Sequence, residues 1–297
     1  QLTKGNNMNN LKKVGLTALG TALVASSAQA ADFSMSATSQ ITLAGADNGN
    51  KGNGWSMSDS ISFSASGEMD NGFTVTHSIE LDGGAGVGFN ALAIDTGDMG
   101  KLTFVGGSST SVINVWDDLT PSANEESWGV GYMGTPAGAA NGSEITHNIF
   151  IYDYTIMDGL ALKAGYVPSH TTGAVDGSVD YGVHYTGIEN LDIYAAMGEN
   201  NDAANSADVS MAAAIYTAGA LSVGYQVNET DFGTGSSDED FSAFGISYAV
   251  SDDLSVSLNM SEIDFESATE DQEATGVSFS YTSVSYTHLT LPTKRIV

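Results

Sequence analysis

Fourteen segments of this chain alternate apolar and polar residues with a period of two, and this rhythm constrains the fold more than any other feature. In residues 73–81, Phe, Val, His, Ile and Leu alternate with Thr, Thr, Ser and Glu. Residues 221–228 and 254–261 repeat the pattern, with Ser, Gly, Gln and Asn on the polar side. Side chains on a strand point alternately to opposite faces, so each segment predicts a strand with one apolar and one polar face.

Most of the predicted strands have close to the length that crosses a bilayer as a tilted strand, about 9–11 residues. We find no segment of helical period and useful length after the first thirty residues. We place the strands near 33–44, 57–67, 73–82, 89–95, 101–107, 145–155, 160–167, 178–186, 191–198, 208–217, 220–228, 241–250, 254–263 and 275–282.

The predicted connections alternate between short and long. Short turns rich in Asn, Asp and Gly follow every second strand, because these residues supply the positive φ angles or local hydrogen bonds of hairpins. The other connections are mostly longer: 45–56, 83–88, 108–144, 168–177, 199–207, 229–240 and 264–274. Short turns at one end of the strands and longer loops at the other are typical of an outer-membrane barrel. A β-sandwich has no physical reason to place all its short connections at one end.

The two faces of the strands agree with a barrel in lipid. The polar faces are too rich in Ser, Thr, Gly and Asn for a dry core, and the apolar faces are too continuous to meet water. The sequence therefore predicts an all-β fold, a transmembrane antiparallel up-and-down β-barrel. When the first and last strands of a barrel pair, every main-chain N–H and C=O group of the strands has a hydrogen-bond partner, as lipid requires. Ordinary sheet packing is the alternative for each aromatic residue that we expect at the membrane interfaces: Phe33, Tyr152, Tyr166, Tyr185 and Phe241.

Acidic residues dominate the body of the chain. The formal net charge is −28, and all 36 Asp and Glu lie between Asp32 and Glu273, where only Lys51, Lys101 and Lys163 oppose them. Such a field repels nucleic acid and attracts cations. Disorder is the first alternative for so acidic a chain, but 41% of the residues are hydrophobic and recur at regular spacing.

Both ends of the chain differ from its body. Residues 1–7 precede Met8, and we expect them to be upstream read-through. Residues 8–30 join a basic start, an apolar run and an Ala-Gln-Ala site in the order of a secretory signal peptide; an amphipathic helix is the alternative. We expect the barrel domain to occupy 31–282 and to be truncated at its C-terminal side. The last segment, 283–297, resembles a translated sequencing adapter and is expected to be non-native.

The longest predicted connection, 108–144, carries the residues to which we assign a function. It holds the acidic doublets Asp117–Asp118 and Glu125–Glu126, together with two of the three Trp and two of the four Pro. A loop this long inside a compact β-protein is uncommon and is usually functional or disordered. We expect it to fold into the barrel and to narrow the channel.

Two stretches, FVGGSSTSVINVWDDLTPSANEESWGVGY (104–132) and SEITHNIFIYDYTIMDGLALKAGYVPS (143–169), make the chain resemble the general porins of alphaproteobacteria. The resemblance covers about residues 8–282. It implies a 16-stranded, usually trimeric outer-membrane barrel, with about 14 strands present here, whose third external loop forms the constriction. It also implies a terminal aromatic residue and, in many members, a basic cluster opposite the acidic loop; this sequence has neither.

Asp117, Asp118, Glu125 and Glu126 are the candidates for the pore constriction, because close carboxylates in a narrow pore concentrate cations. The same four acids are candidates for binding Ca²⁺, which takes several oxygen ligands, although no spacing here is diagnostic. A solvated acidic loop is the alternative to both.

Two residues outside the loop are further candidates for the lumen. Glu80 and Lys163 lie on the polar faces of their predicted strands. Lys101 begins a strand and is expected only to reach the membrane interface.

The expected function is that of an outer-membrane porin in a Gram-negative bacterium. It would be a passive, cation-selective channel for small hydrophilic solutes, a homotrimer in contact with lipid and lipopolysaccharide. We expect no catalysis and no resident cofactor, because the sequence shows no metal-binding His spacing and no nucleophile motif; Ca²⁺ at the four loop acids is the one candidate. The alternatives are a non-channel outer-membrane barrel serving as an adhesin, receptor or structural protein, and a secreted soluble β-sandwich or lectin.

Overall fold

The computed structural model describes residues 32–43, 54–83, 86–106, 111–124, 126–127, 148–169, 177–201, 206–233, 238–266 and 271–282. The predicted upstream stretch, signal peptide and tail lie outside these ranges. The strands are β1 (Asp32–Leu43), β2 (Trp55–Glu68), β3 (Thr74–Asp82), β4 (Gly86–Asp95), β5 (Lys101–Val105), β6 (Ile149–Met157), β7 (Leu160–Val167), β8 (Ser178–Ile188), β9 (Leu191–Asn200), β10 (Ala207–Ala218), β11 (Leu221–Phe232), β12 (Glu239–Ala249), β13 (Leu254–Phe265) and β14 (Gln272–Tyr281).

The fourteen strands form one antiparallel sheet in which each strand pairs with the next along the chain. They correspond one to one with the fourteen predicted segments, with boundaries shifted by a few residues. This confirms the all-β, up-and-down architecture. Among the described residues β1 pairs with β2 and β14 with β13, but β1 and β14 do not pair with each other, so the sheet is open. In the same part of the chain, no helix is both long and apolar enough to cross a membrane.

The connections separate the sheet into two different ends. One end has short turns at 69–73, 96–100, 158–159, 189–190, 219–220 and 250–253. The other has the connections 44–54, 83–85, 106–148, 168–177, 201–206, 233–238 and 266–271. We call these the short-turn end and the long-loop end. Asn190 (φ 65°), Gly159 (φ 75°) and Gly219 (φ 61°) adopt positive φ in the two-residue turns, as hairpin geometry requires.

The sheet has two chemically different faces. We call the face that carries residues 111–127 the inner face, and the opposite one the outer face. On β11, Gln226 and Asn228 point inward and are buried, whereas Tyr225 and Val227 point outward and are exposed. The outer face of the other strands is likewise rich in exposed Val, Leu, Ile, Met and Tyr. The sheet is therefore apolar outside and largely polar inside, as the alternation predicted.

One of the aromatic residues expected at the membrane interface lies elsewhere. Phe33, Tyr166 and Tyr185 are exposed on the outer face, but Phe241 is buried on the inner face. It packs there with neighbouring apolar side chains of β12, β13 and β14, namely Ala243, Ile263 and Ala274. The expectation for Phe241 was wrong because the inner face of β12 carries an apolar patch close to its long-loop end.

The turn between β4 and β5 gives a test of the fold. Gly97 and Gly100 both have positive φ, but a methyl group at Gly100 would lie 2.6 Å from the main-chain oxygen of Asp153, whereas one at Gly97 would meet nothing within 4 Å. We expect Gly97→Ala to cost about 1–2 kcal/mol, the usual cost of left-handed backbone for a residue with a Cβ. Gly100→Ala is expected to cost more, both because of this overlap and because φ 89° with ψ −173° is a conformation almost confined to glycine. Urea unfolding in lipid vesicles measures both losses, and equal losses would show that the turn relaxes around the methyl at Gly100 without cost.

Candidate functional site

The candidate site is built on residues 111–127, which lie against the inner face and which we call the inner segment. Glu125 lies outside the described residues. The segment starts with a single helical turn, α1 (Val112–Val115), whose first main-chain groups are capped by Ser111: its hydroxyl accepts a hydrogen bond from Asn114 N at 3.2 Å. The rest, Trp116 to Ser127, has no regular structure among the described residues.

The first half of the inner segment is held by apolar contacts. Val112, Ile113 and Trp116 are buried against small and medium-sized side chains of β9 and β10, namely Ala196, Ala207, Val209, Met211 and Ala213. The ring of Trp116 also meets Tyr194 edge-on, with centroids 5.2 Å apart. The inner face is therefore apolar where α1 lies, which the strand alternation did not predict.

The main chain of the inner segment is bonded to polar side chains of the wall. Asp180 of β8, itself buried, accepts a hydrogen bond from Ile113 N at 3.0 Å. Gln226 of β11 is fully buried, and its oxygen accepts from Leu119 N at 2.9 Å. Its amide nitrogen donates to the main-chain oxygens of Trp116 (3.1 Å) and Asp117 (2.7 Å). One side chain thus satisfies three main-chain groups that have no strand partner.

The second half of the segment continues this pattern along β13. Asn259 Nδ2 donates to Pro121 O at 3.0 Å, and Ala123 N donates to Ser257 Oγ at 2.9 Å. Further along, the hydroxyls of Ser127 and Ser261 are 2.7 Å apart. The segment also reaches the first strand, since Gln40 Nε2 of β1 donates to Asn124 Oδ1 at 2.6 Å. The inner segment therefore crosses the inner face from β8 to β14 and contacts β1.

The acidic residues predicted for a constriction differ in their exposure. Asp118 is exposed, Asp117 is half-buried and Glu126 is buried. Burial, followed by the neighbouring charge of Asp118, raises the pKa of Asp117 from 3.8 to about 7. Although the Asp118 side chain is exposed on one side, partial desolvation by its surroundings raises its pKa, while hydrogen bonds from its own main chain and from the Asp117 carboxyl favour the charged form. This pair therefore holds a proton near neutral pH that an isolated aspartate would have lost.

Both described lysines lie on the inner face and share one carboxylate. Lys163 Nζ is 2.6 Å from Asp153 Oδ1, and Lys101 Nζ is 3.3 Å from Asp153 Oδ2. Lys101 stands directly opposite Asp153 in the register of β5 and β6 and points to the inner face, whereas we expected it to lie outside the lumen. Glu80 also points inward and accepts a hydrogen bond from Ser62 Oγ at 3.0 Å.

The structure adds no support for a metal ion. Within the described ranges, no three His, Asp or Glu side chains converge closely enough to hold one. Glu125 falls outside those ranges, so the four loop acids stay candidates for binding Ca²⁺ and nothing more.

Sequence reasoning missed the wall residues that hold the inner segment. Gln226, Ser257, Asn259 and Ser261 were visible as polar positions of alternating strands, and Asp180 as one acid among many. Their partners lie far away along the chain, so alternation could show which face they occupy but not what they bind.

An antiparallel up-and-down sheet with an apolar outer face and a largely polar inner face is typical of transmembrane β-barrels. The family model for Gram-negative porins matches residues 15–287. The chain belongs to the Gram-negative porin family and is a protein of the outer membrane. A sequence search of curated proteins found no match.

Solved porin structures share the fold at low sequence identity. OmpT of Vibrio cholerae, folded in vitro and in its trimer form, is 17% identical, with a TM-score of 0.62 over 87% of this chain and 85% of that one. The anion-selective porin from Comamonas acidovorans is 16% identical, with a TM-score of 0.60 over 83% and 82%. Salmonella typhi OmpF, in complex with daunomycin, is 12% identical, with a TM-score of 0.61 over 86% of both chains.

A row of carboxylates on the outer face marks where the lipid-facing surface ends. Exposed acids lie at the long-loop ends of β9 to β14: Glu199, Asp208, Glu229, Asp231, Asp240, Glu262, Asp264 and Glu273. Cross-strand register places some directly opposite one another, such as Asp240 and Asp264. Because carboxylates facing hydrocarbon are costly, the apolar band must lie on the short-turn side of this row, where Val227 and Leu258 are exposed.

The bonds of Gln226 give a test of how the inner segment is held. Gln226→Ala would leave Leu119 N and the oxygens of Trp116 and Asp117 without this partner, and we expect a loss of about 1–3 kcal/mol for each group that stays buried. The loosened segment should then be cut faster by chymotrypsin, which cleaves after aromatic residues and Leu. Gln40→Ala is the matched control, since Gln40 is exposed and bonds only a side chain of the segment. Equal cleavage of the two variants would show that Gln226 does not anchor the segment.

Proposed function

We propose that this porin is a passive diffusion channel for small hydrophilic solutes and that the inner segment forms its constriction. The observation that carries the proposal is the bonding of the segment across the inner face, from Asp180 on β8 to Ser261 on β13. A segment fixed in this way occupies space that the barrel would otherwise leave to water. Its exposed side chains then line the narrowest part of the path.

The proposed channel prefers cations. Asp117 and Asp118 lie on the inner segment, and the two described lysines are both paired with Asp153 rather than left to oppose them. In a narrow path, an uncompensated carboxylate pair raises the local concentration of cations and repels anions. The anion-selective porin from Comamonas acidovorans shares the fold at 16% identity, so its selectivity supplies no argument for this chain.

The proposed assembly is a homotrimer in the outer membrane, in contact with lipid and lipopolysaccharide. Support comes from the trimer form of the Vibrio cholerae protein, which has the same fold. The exposed apolar outer face is available for both lipid and a neighbouring subunit.

Bilayer recording tests the channel directly. The full chain, purified in detergent and inserted into a planar bilayer under a salt gradient, is expected to give stable conductance with a reversal potential that favours cations. An anion-favouring potential would overturn the charge assignment. A barrel that inserts but neither conducts nor permits liposome swelling by small sugars would instead support the non-channel alternative, an adhesin, receptor or structural protein.

The raised pKa of Asp117 predicts a selectivity that depends on pH. Asp117 is neutral below about pH 7 and negative above it, so cation selectivity should rise between about pH 6 and about pH 8. Asp117→Asn is expected to remove most of that rise, because it takes away the carboxyl whose pKa lies near 7. Asp98→Asn is the control, because it removes the same charge from an exposed turn at the short-turn end.

The comparison of reversal potentials at the two pH values, in the parent and in Asp117→Asn, assigns the change in selectivity to Asp117. A rise in selectivity that survives Asp117→Asn would contradict the assignment to Asp117.

A further inference from the structure

The inner segment crosses a part of the wall that has no side chains. Gly224 of β11 and Gly245 of β12 stand directly opposite each other in the strand register. Both point to the inner face, as do their neighbours Gln226 and Ala243, and Pro121 lies over them. Glycine in the interior of a strand weakens the sheet and often marks the close approach of another backbone. This pair forms a shallow pit in which Pro121 is seated.

The contacts in the pit leave no room for a methyl group. A Cβ at Gly224 would overlap Pro121 Cδ and lie 3.2 Å from Pro121 Cγ, which are ring atoms of the side chain. A Cβ at Gly245 would lie 2.6 Å from the main-chain oxygen of Pro121, 3.0 Å from its nitrogen and 2.7 Å from Asn259 Nδ2. Carbon atoms in contact prefer separations of about 3.5–4.0 Å, so either methyl would push Pro121 away from the wall by about 1 Å.

The hydrogen bonds on either side restrict where Pro121 can go. Gln226 holds the main chain at Leu119, and Ser257 holds it at Ala123. With the segment tied on both sides, a push from the wall moves Pro121 toward the interior of the barrel rather than along the strands.

We propose that the glycine pair Gly224 and Gly245 sets the width of the channel, because it fixes how far the inner segment stands from the wall at Pro121. Both are positioning residues: they touch the segment and not the solute. The inference rests on the proposed function, since width has meaning only if the barrel conducts. It adds two wall positions, neither charged nor exposed to solute, as determinants of which solutes pass.

The two glycines contact different parts of Pro121, so a second substitution at Pro121 should affect the two glycine variants differently. The two nearest atoms to the methyl of Gly224→Ala are Cδ and Cγ of the proline ring, and the third is Ile215 Cγ1 of the wall at 3.3 Å. Pro121→Ala removes Cγ and Cδ and should therefore relieve most of the overlap. Gly245→Ala meets main-chain atoms, which Pro121→Ala leaves in place. The control for a glycine-to-alanine change in a strand is Gly67→Ala, whose methyl would meet nothing within 4 Å.

Single-channel conductance and the size limit for sugar uptake in liposomes are the two measurements. We expect Gly224→Ala and Gly245→Ala each to lower the conductance and the size limit. Adding Pro121→Ala should restore both for Gly224→Ala and not for Gly245→Ala, while Gly67→Ala matches the parent. Unchanged conductance in Gly224→Ala, or equal restoration of both glycine variants by Pro121→Ala, would overturn the inference.

Two further outcomes keep this inference separate from the proposed function and from folding. A parent chain that inserts without conducting overturns the proposed function, whereas a conducting parent with unaltered glycine variants overturns only the role of the pit. If Gly224→Ala does not fold, Gly245→Ala carries the test, since its methyl meets main-chain atoms of the same proline. A conductance and a size limit for Gly245→Ala equal to those of the parent would then overturn the inference.

Discussion

The structure depends on how the main-chain N–H and C=O groups of the inner segment find hydrogen-bond partners where they are buried from water. An N–H or C=O group that is buried without a partner costs free energy comparable to a lost hydrogen bond, and the inner segment has no strand beside it to supply partners. Wall side chains replace that strand, with Gln226 serving both as donor and as acceptor. The requirement explains why fully buried polar residues such as Gln226 and Asn259 occur in the middle of strands whose outer faces are apolar.

Much of the fold was predictable because its determinants are local. A period of two and the turn residues Asn, Asp and Gly are both readable within about ten residues, so all fourteen strands and most of the sorting of their connections could be predicted. The exception is the connection expected at 83–88, which spans only 83–85 because β4 starts at Gly86. Phe241 shows the limit. Alternation gives the two faces of a strand, but an aromatic residue near a strand end suits either an interfacial girdle or a local apolar patch, and only the neighbouring strands β13 and β14 decide between them.

The candidate site was predictable in part, for a related reason. Composition and loop length identified Asp117 and Asp118, because an acidic doublet in a long loop can be recognised without knowing which residues it contacts. The contacts that position them join residues more than a hundred positions apart, such as Leu119 with Gln226 and Pro121 with Asn259. Lys101 was misplaced because its partner Asp153 lies on the strand beyond the longest connection. Pairings of this kind depend on the register of the sheet, which the sequence pattern does not specify.

Holding the inner segment by its main chain has a consequence for how such a protein can change over generations. Asp180, Gln226 and Ser257 bind groups that every residue type other than proline carries, so the exposed side chain at a position such as Asp118 can be exchanged without loss of those bonds. Mutations can therefore change the charge and size of the side chains that line the channel while the hydrogen bonds between the inner segment and the wall stay intact. Permeability is free to diverge faster than architecture, and a shared barrel shape says little about what a given barrel admits.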